Sequence, residues 1–169
     1  MKSDLEQITV EPDAFRVAKE QVLLSCELHA ALVACVFDDT QGAGGVIHLR
    51  YVASVDGAPP ELTDNTLSSD LLLLDSFCKE LRRLGARKQS WRVRVFAHVP
   101  PGPKSDEHAA TVLDLIKAYF SDGRWAPECQ EIRRESAVVV RFDPREGRFW
   151  LHGSGGELAP AAGAARVLA

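Results

Sequence analysis

The chain has 169 residues, 46% of them hydrophobic and 26% charged, with a formal net charge of −4, the profile of one soluble globular domain with a substantial core. The acidic balance lacks the broad basic surface that phosphate neutralisation needs, so no nucleic-acid partner is expected. Apolar runs such as Ala30 to Phe37 and Leu71 to Leu74 are short, far from the ~20 residues of a membrane span. The first residues also lack a signal-length apolar run, so the expected location is cytoplasmic, without membrane insertion.

In chain order, the first element is ambiguous. Glu27 to Ala34 is rich in helix formers, yet its Val-Ala-Cys-Val-Phe ending and the turn chemistry after it favour a strand over Leu32 to Phe37. Asp38 to Gly45 is a polar, glycine-rich connection to a second strand, Val46 to Val52. The clearest helix is Ser69 to Leu84. Ser68 or Ser69 caps it, Leu71, Leu74, Phe77, Leu81 and Leu84 form its apolar stripe, and Gly85 sits where a left-handed C-cap is wanted. Trp91, Val93 and Val95 alternate with Arg92 and Arg94, the period of a half-buried strand. A second helix spans Asp106 to Phe120 through Val112, Leu113, Ile116 and Phe120. Ala137 to Phe142, the turn Asp143 to Gly147 and Arg148 to Leu151 read as a hairpin. Residues 1–152 are expected to form one domain, and the Gly/Ala/Pro-rich segment 153–169 a flexible tail.

Chemistry-bearing residues are sparse. Cys26, Cys35, Cys78 and Cys129 are widely spaced, with no CxxC pair and no zinc pattern, so inert thiols are expected. His29 and His48 lack a third ligand at metal spacing, and neither a metal nor another cofactor is expected. His98 and His108 read as loop or helix-start residues. Arg133-Arg134 reads as a solvated charge pair, with an acidic partner surface as its sharper alternative.

Ser25-Cys26-Glu27-Leu28-His29-Ala30-Ala31, the apolar strand after it, Asp38, and Gly44-Gly45-Val46-Ile47-His48 together resemble the motifs of the chemoreceptor glutamine deamidases, the CheD family. Leu81 to Arg87, Arg94-Val95-Phe96 and the hairpin Val140 to Arg148 extend the similarity over roughly residues 8 to 152. The resemblance implies a four-layer α/β/β/α sandwich with two packed mixed sheets. It also implies an activity: a cysteine thiolate attacks a glutamine carboxamide, a histidine activates it, and a hydroxyl orients the imidazole. Carried over, the histidine is His48 and the hydroxyl residue Ser25, but the nucleophile falls on Ala31, whose methyl cannot attack an amide. His29-Ala30 stands for the family's Gly-Ser, and Ala97-His98 and Arg133-Arg134 each stand for Gly-Gly. These departures read as a coordinated loss around the site. The resemblance therefore implies a catalytically silent CheD-like signalling protein that binds the chemoreceptor cytoplasmic domain or a CheC-like phosphatase. The alternative is an active glutamine deamidase with a relocated nucleophile, Cys26. Cys35, four strand residues beyond Ala31, would lie ~13 Å away, too far to share His48.

Overall fold

The computed structural model describes residues 5–51, 53–55, 58–61, 64–153 and 156–157. The apolar run ALVACVF dictates the architecture. It forms β4 (Ala31–Asp38), and a strand that is apolar on both faces must be covered on both. β4 lies centrally in a sheet ordered β2 (Ala14–Ala18), β5 (Ala43–Arg50), β4, β8 (Arg92–Val99), β9 (Glu128–Arg133). An outer sheet is ordered β1 (Glu6–Thr9), β3 (Val22–Leu28), β10 (Val138–Asp143), β11 (Arg148–Gly153), β12 (Gly156–Glu157). Parallel pairs β8–β9 and β1–β3 make both sheets mixed. A separate ribbon pairs β6 (Ala53–Val55) with β7 (Ala58–Glu61).

Alternation along β4 divides two cores. Leu32, Ala34 and Val36 meet the helices α1 (Asp64–Arg83) and α2 (Pro103–Tyr119) through Leu74, Phe77, Leu81, Val112 and Ile116. Ala31, Val33 and Cys35 point the other way, against Leu24, Cys26, Val140, Phe142 and Phe149 of the outer sheet. The expected α/β sandwich of two packed mixed sheets is thus present. Among the described residues both helices belong to the same core, on the outer face of the central sheet.

Each helix begins earlier than its stripe predicts. Ser68 and Ser69 are exposed positions inside α1 rather than its cap. Pro103 opens α2, where its fixed φ suits the first helical turn. α1 ends as Gly85 requires. Gly85 has φ +97°, its amide donates to the Arg82 carbonyl, and the Ala86 amide reaches back to Leu81, the Schellman pattern. The expected strand Val46 to Val52 starts three residues sooner, at Ala43, and Val52 lies outside the described residues. Gly44 and Gly45, expected in a loop, are part of β5 because neighbouring backbone presses on them. A Cβ on Gly44 would stand 2.5 Å from the Val36 carbonyl oxygen, and one on Gly45 2.4 Å from that of Arg16. These glycines are requirements of the sheet. Of the expected tail, Gly156 and Glu157 pair with β11, and residues 154–155 and 158–169 lie outside the described residues. No helix among the described residues is long and apolar enough to cross a membrane.

Candidate functional site

The helix-forming stretch around residue 30 is two strands joined by a two-residue crossover. β3 ends at Leu28 in the outer sheet, and β4 begins at Ala31 in the central one. So abrupt a change of sheet puts Ala30 at φ +49°, a left-handed conformation that costs a non-glycine residue roughly 1–2 kcal/mol. Two hydrogen bonds hold it there. The Ala30 amide donates to His98 Nδ1 at 3.0 Å, and its carbonyl accepts from the Tyr51 amide at 3.2 Å.

His98 is the register partner of Ala31 on β8 and has no exposed surface. Its Nε2–H donates to the Ser136 carbonyl at 2.9 Å, while Nδ1 accepts from Ala30, so the ring is neutral with a fixed tautomer. Burial, the largest influence, pushes its pKa below the ordinary value, with the Ser136 bond opposing. The His29 ring lies 5.3 Å away, and Tyr51 donates its hydroxyl to the His98 carbonyl at 2.8 Å. Arg134 grips Ser136 Oγ through Nε and Nη2. The substituted positions His29-Ala30, His98 and Arg134 therefore form one connected assembly around the start of β4. The loop or helix-start reading of His98 is corrected: the alternation of Arg92, Arg94 and Phe96 continues to it, and β8 carries it into the interior. Arg133, by contrast, pairs with Asp106 and Glu131 at the surface.

His48 stands on β5 opposite Val33 and shares the inter-sheet face with Ala31, its diagonal neighbour, a separation of roughly 7–8 Å in antiparallel geometry. Its Nδ1–H donates to the Val10 carbonyl at 3.0 Å, which leaves the lone pair on Nε2. That nitrogen is buried and has no hydrogen-bond partner among the described residues. Burial lowers the His48 pKa, against the Val10 bond and the charges of Asp13 and Glu11. Asp13, at φ +59°, donates its amide to the His48 carbonyl at 2.7 Å and binds Arg50 through the amide, Nε and Nη2. Arg50 is Ala31's partner on β5. The Ala31 methyl thus lies between Arg50 and His98, beside an oriented imidazole, and is itself only 1% exposed.

Ser25 is not brought to this assembly. Leu24, Cys26 and Leu28 face the inter-sheet core, so the two-residue period turns Ser25 to the outer face of its sheet. The imidazole is held by the Val10 carbonyl, which accepts from its Nδ1–H. Ser25 contributes only its own carbonyl, which accepts from the Val10 amide at 2.8 Å. A backbone acceptor leaves no mark in sequence. Cys26 does face inward, opposite Val140 and 1% exposed. Burial first, and then Glu11, push its thiol up to about 12, so roughly one part in 10⁵ is thiolate at neutral pH. Cys35, near enough to feel the Cys26 charge, is also raised by burial. Such thiols are poor nucleophiles. Among the described residues no group of three or more His, Cys, Asp or Glu is placed to hold a metal ion.

No protein-family model matches the chain. Among curated proteins it is similar to a probable chemoreceptor glutamine deamidase CheD of Cupriavidus metallidurans, 23% identical over 150 residues, covering 85% of this chain and 66% of that one. The protein of the same description from Cupriavidus pinatubonensis is 26% identical over 150 residues, with 85% and 67% covered. That of Burkholderia vietnamiensis is 23% identical over 148 residues, with 86% and 59% covered. The chain spans about two thirds or less of the length of these relatives.

Proposed function

The chain is a distant relative of the CheD chemoreceptor glutamine deamidases, and on that premise we propose that it serves chemotaxis-type signal transduction as a binding protein that does not deamidate. It engages the cytoplasmic helices of a chemoreceptor or a CheC-like phosphatase. The observation that carries this reading is the surroundings of Ala31. Deamidation needs a thiolate at hydrogen-bonding distance from a base, and residue 31 offers a methyl. His48 keeps the bearing of a base, with its proton held on Nδ1 and its lone pair on Nε2. The backbone donor next to residue 31, the Ala30 amide, is already bonded to His98. A substrate carbonyl seeking that donor would first have to displace a buried ring. The relocated-nucleophile alternative is disfavoured because the Cys26 thiol is buried and protonated.

Calorimetric titration of the protein with a receptor cytoplasmic fragment and with a CheC-like phosphatase tests the binding half. Saturable heat with at least one of them is expected, and no heat with either, where an active relative binds, would refute it. Mass spectrometry of the receptor fragment tests the catalytic half. Glutamine-to-glutamate conversion that Cys26→Ala abolishes would instead establish the relocated nucleophile.

A further inference from the structure

A charge asymmetry marks a second surface. Residues 79–94 contain seven of the chain's 20 Lys and Arg and only one acidic residue, Glu80, in a protein whose overall charge is −4. Several of these cations lie along the end of α1 and the start of β8, and Arg92 reaches the segment before β9. The Arg92 guanidinium lies 4.3 Å from the Trp125 ring centroid, and that of Arg124 lies 5.1 Å from it. Arg82 stands over Trp91, 5.7 Å from its centroid. The Arg87 amide is tied to Asp38 Oδ2 at 2.8 Å, which fixes its position beside the end of β4. Arg82, Arg87, Arg92 and Arg124 are exposed, and none of these four is in an ion pair among the described residues. Asp122 is matched by Lys88.

Trp125 is one of three large hydrophobic side chains exposed among the described residues, at 39%. Trp125 thus offers an apolar ring beside two guanidinium groups that are in no ion pair among the described residues. Arg and Trp are the residue types over-represented at the energetic centres of protein interfaces. Their mutual stacking also reduces the ordering cost of binding. This corner around Arg92 and Trp125 is remote from Ala31. Along β4 the register runs from Ala31↔His98 to Phe37↔Arg92, six residues or roughly 20 Å.

We propose that this corner docks an acidic protein segment, whose carboxylates pair with Arg92 and Arg124 and whose apolar side chain covers Trp125. Carboxylates match the fork of guanidinium donors, and the exposed ring beside them fits one apolar side chain. A nucleic acid would need a longer cationic track than one corner of an acidic protein supplies.

The proposal is tested by NMR titration of the isotope-labelled chain with a synthetic helical peptide bearing Glu on one face and a central Leu. Vesicles of phosphatidylglycerol and a DNA duplex are titrated in parallel. The Trp125 indole and the backbone amides of Arg92, Arg124 and Trp125 are expected to shift with the peptide, and binding weakens as salt rises. Arg92→Glu with Arg124→Glu should weaken affinity about tenfold or more, ~1.4 kcal/mol. Arg92→Gln with Arg124→Gln should weaken it less, and Trp125→Ala should weaken it without changing the salt dependence. Unshifted signals at the corner, or unchanged peptide affinity in the charge-reversed variant with native-like spectra, would overturn the proposal. So would vesicles or DNA engaging the corner where the peptide does not.

Discussion

The buried ring of His98 is the keystone of the assembly around Ala31, and His98→Ala is the perturbation that measures it. The substitution deletes two hydrogen bonds, Ala30 N–H to Nδ1 and Nε2–H to the Ser136 carbonyl. Each is worth about 1 kcal/mol net, and a stranded amide adds about another 1 kcal/mol. Loss of packing around a fully buried side chain contributes about 1–2 kcal/mol more. The total is about 4 kcal/mol. With a urea dependence of about 2 kcal/mol per molar for a chain of this size, the unfolding midpoint should fall by roughly 2 M. The same variant carries a pH signature. Folding lowers the His98 pKa from its ordinary 6.5, so below that value the unfolded chain takes up a proton that the native state refuses. The contribution is therefore fully present above pH 6.5 and is lost as pH falls toward the folded pKa. His48 acts in the same sense. Urea melts at several pH values should show stability declining on acidification in the parent and declining less in His98→Ala. A midpoint shift below about 0.5 M, or an unchanged acid slope, would refute the role given to this ring.

Gly45→Ala should destabilise by about 3 kcal/mol or more, because a Cβ 2.4 Å from the Arg16 carbonyl forces two strands apart; thermal unfolding checks it. Tyr51→Phe removes only the hydroxyl bond to the His98 carbonyl and should cost about 1 kcal/mol in the same assay. The native Cys26 thiol should resist a disulfide reagent at neutral pH and react only at the rate of unfolding, since it is buried and protonated; prompt labelling in the folded state would contradict that environment. Ala31→Cys alone should give a sluggish thiol because His98 still occupies the Ala30 amide. Adding His98→Gly should raise its alkylation rate, read by mass spectrometry after timed quenching.

Much of the fold was legible because single-face burial imposes a period. Leu74, Phe77 and Leu81 of α1 and the hairpin after Ala137 follow from it, whereas Leu71, expected in the same stripe, is exposed, and Gly85 is marked instead by its left-handed backbone. The first thirty residues hid three strands. β1, EQIT, and β2, AFRVA, are short, and β3 mixes Leu, Ser, Cys and Glu so that propensity competes with pattern. β9, ECQEIR, is an edge strand with little apolar signal. At the site, Ala31 and His48 share a face of the central sheet, while Ser25 alternates with the inward-facing Leu24 and Cys26 of β3. Residue order fixes a position in the chain, but one step along a strand reverses the face. His98 was missed for the opposite reason. It extends a visible alternation, and only its pairing with Ala31 gives it meaning.

Native mass spectrometry of the protein incubated with a glutamine-bearing receptor cytoplasmic fragment tests the central claim most directly, because one spectrum reports both association and chemistry. A complex whose receptor component keeps its starting mass is the predicted result. Receptor fragment that gains the mass difference between glutamine and glutamate would contradict the account, as would a spectrum in which no complex forms while an active CheD-type deamidase binds under the same conditions.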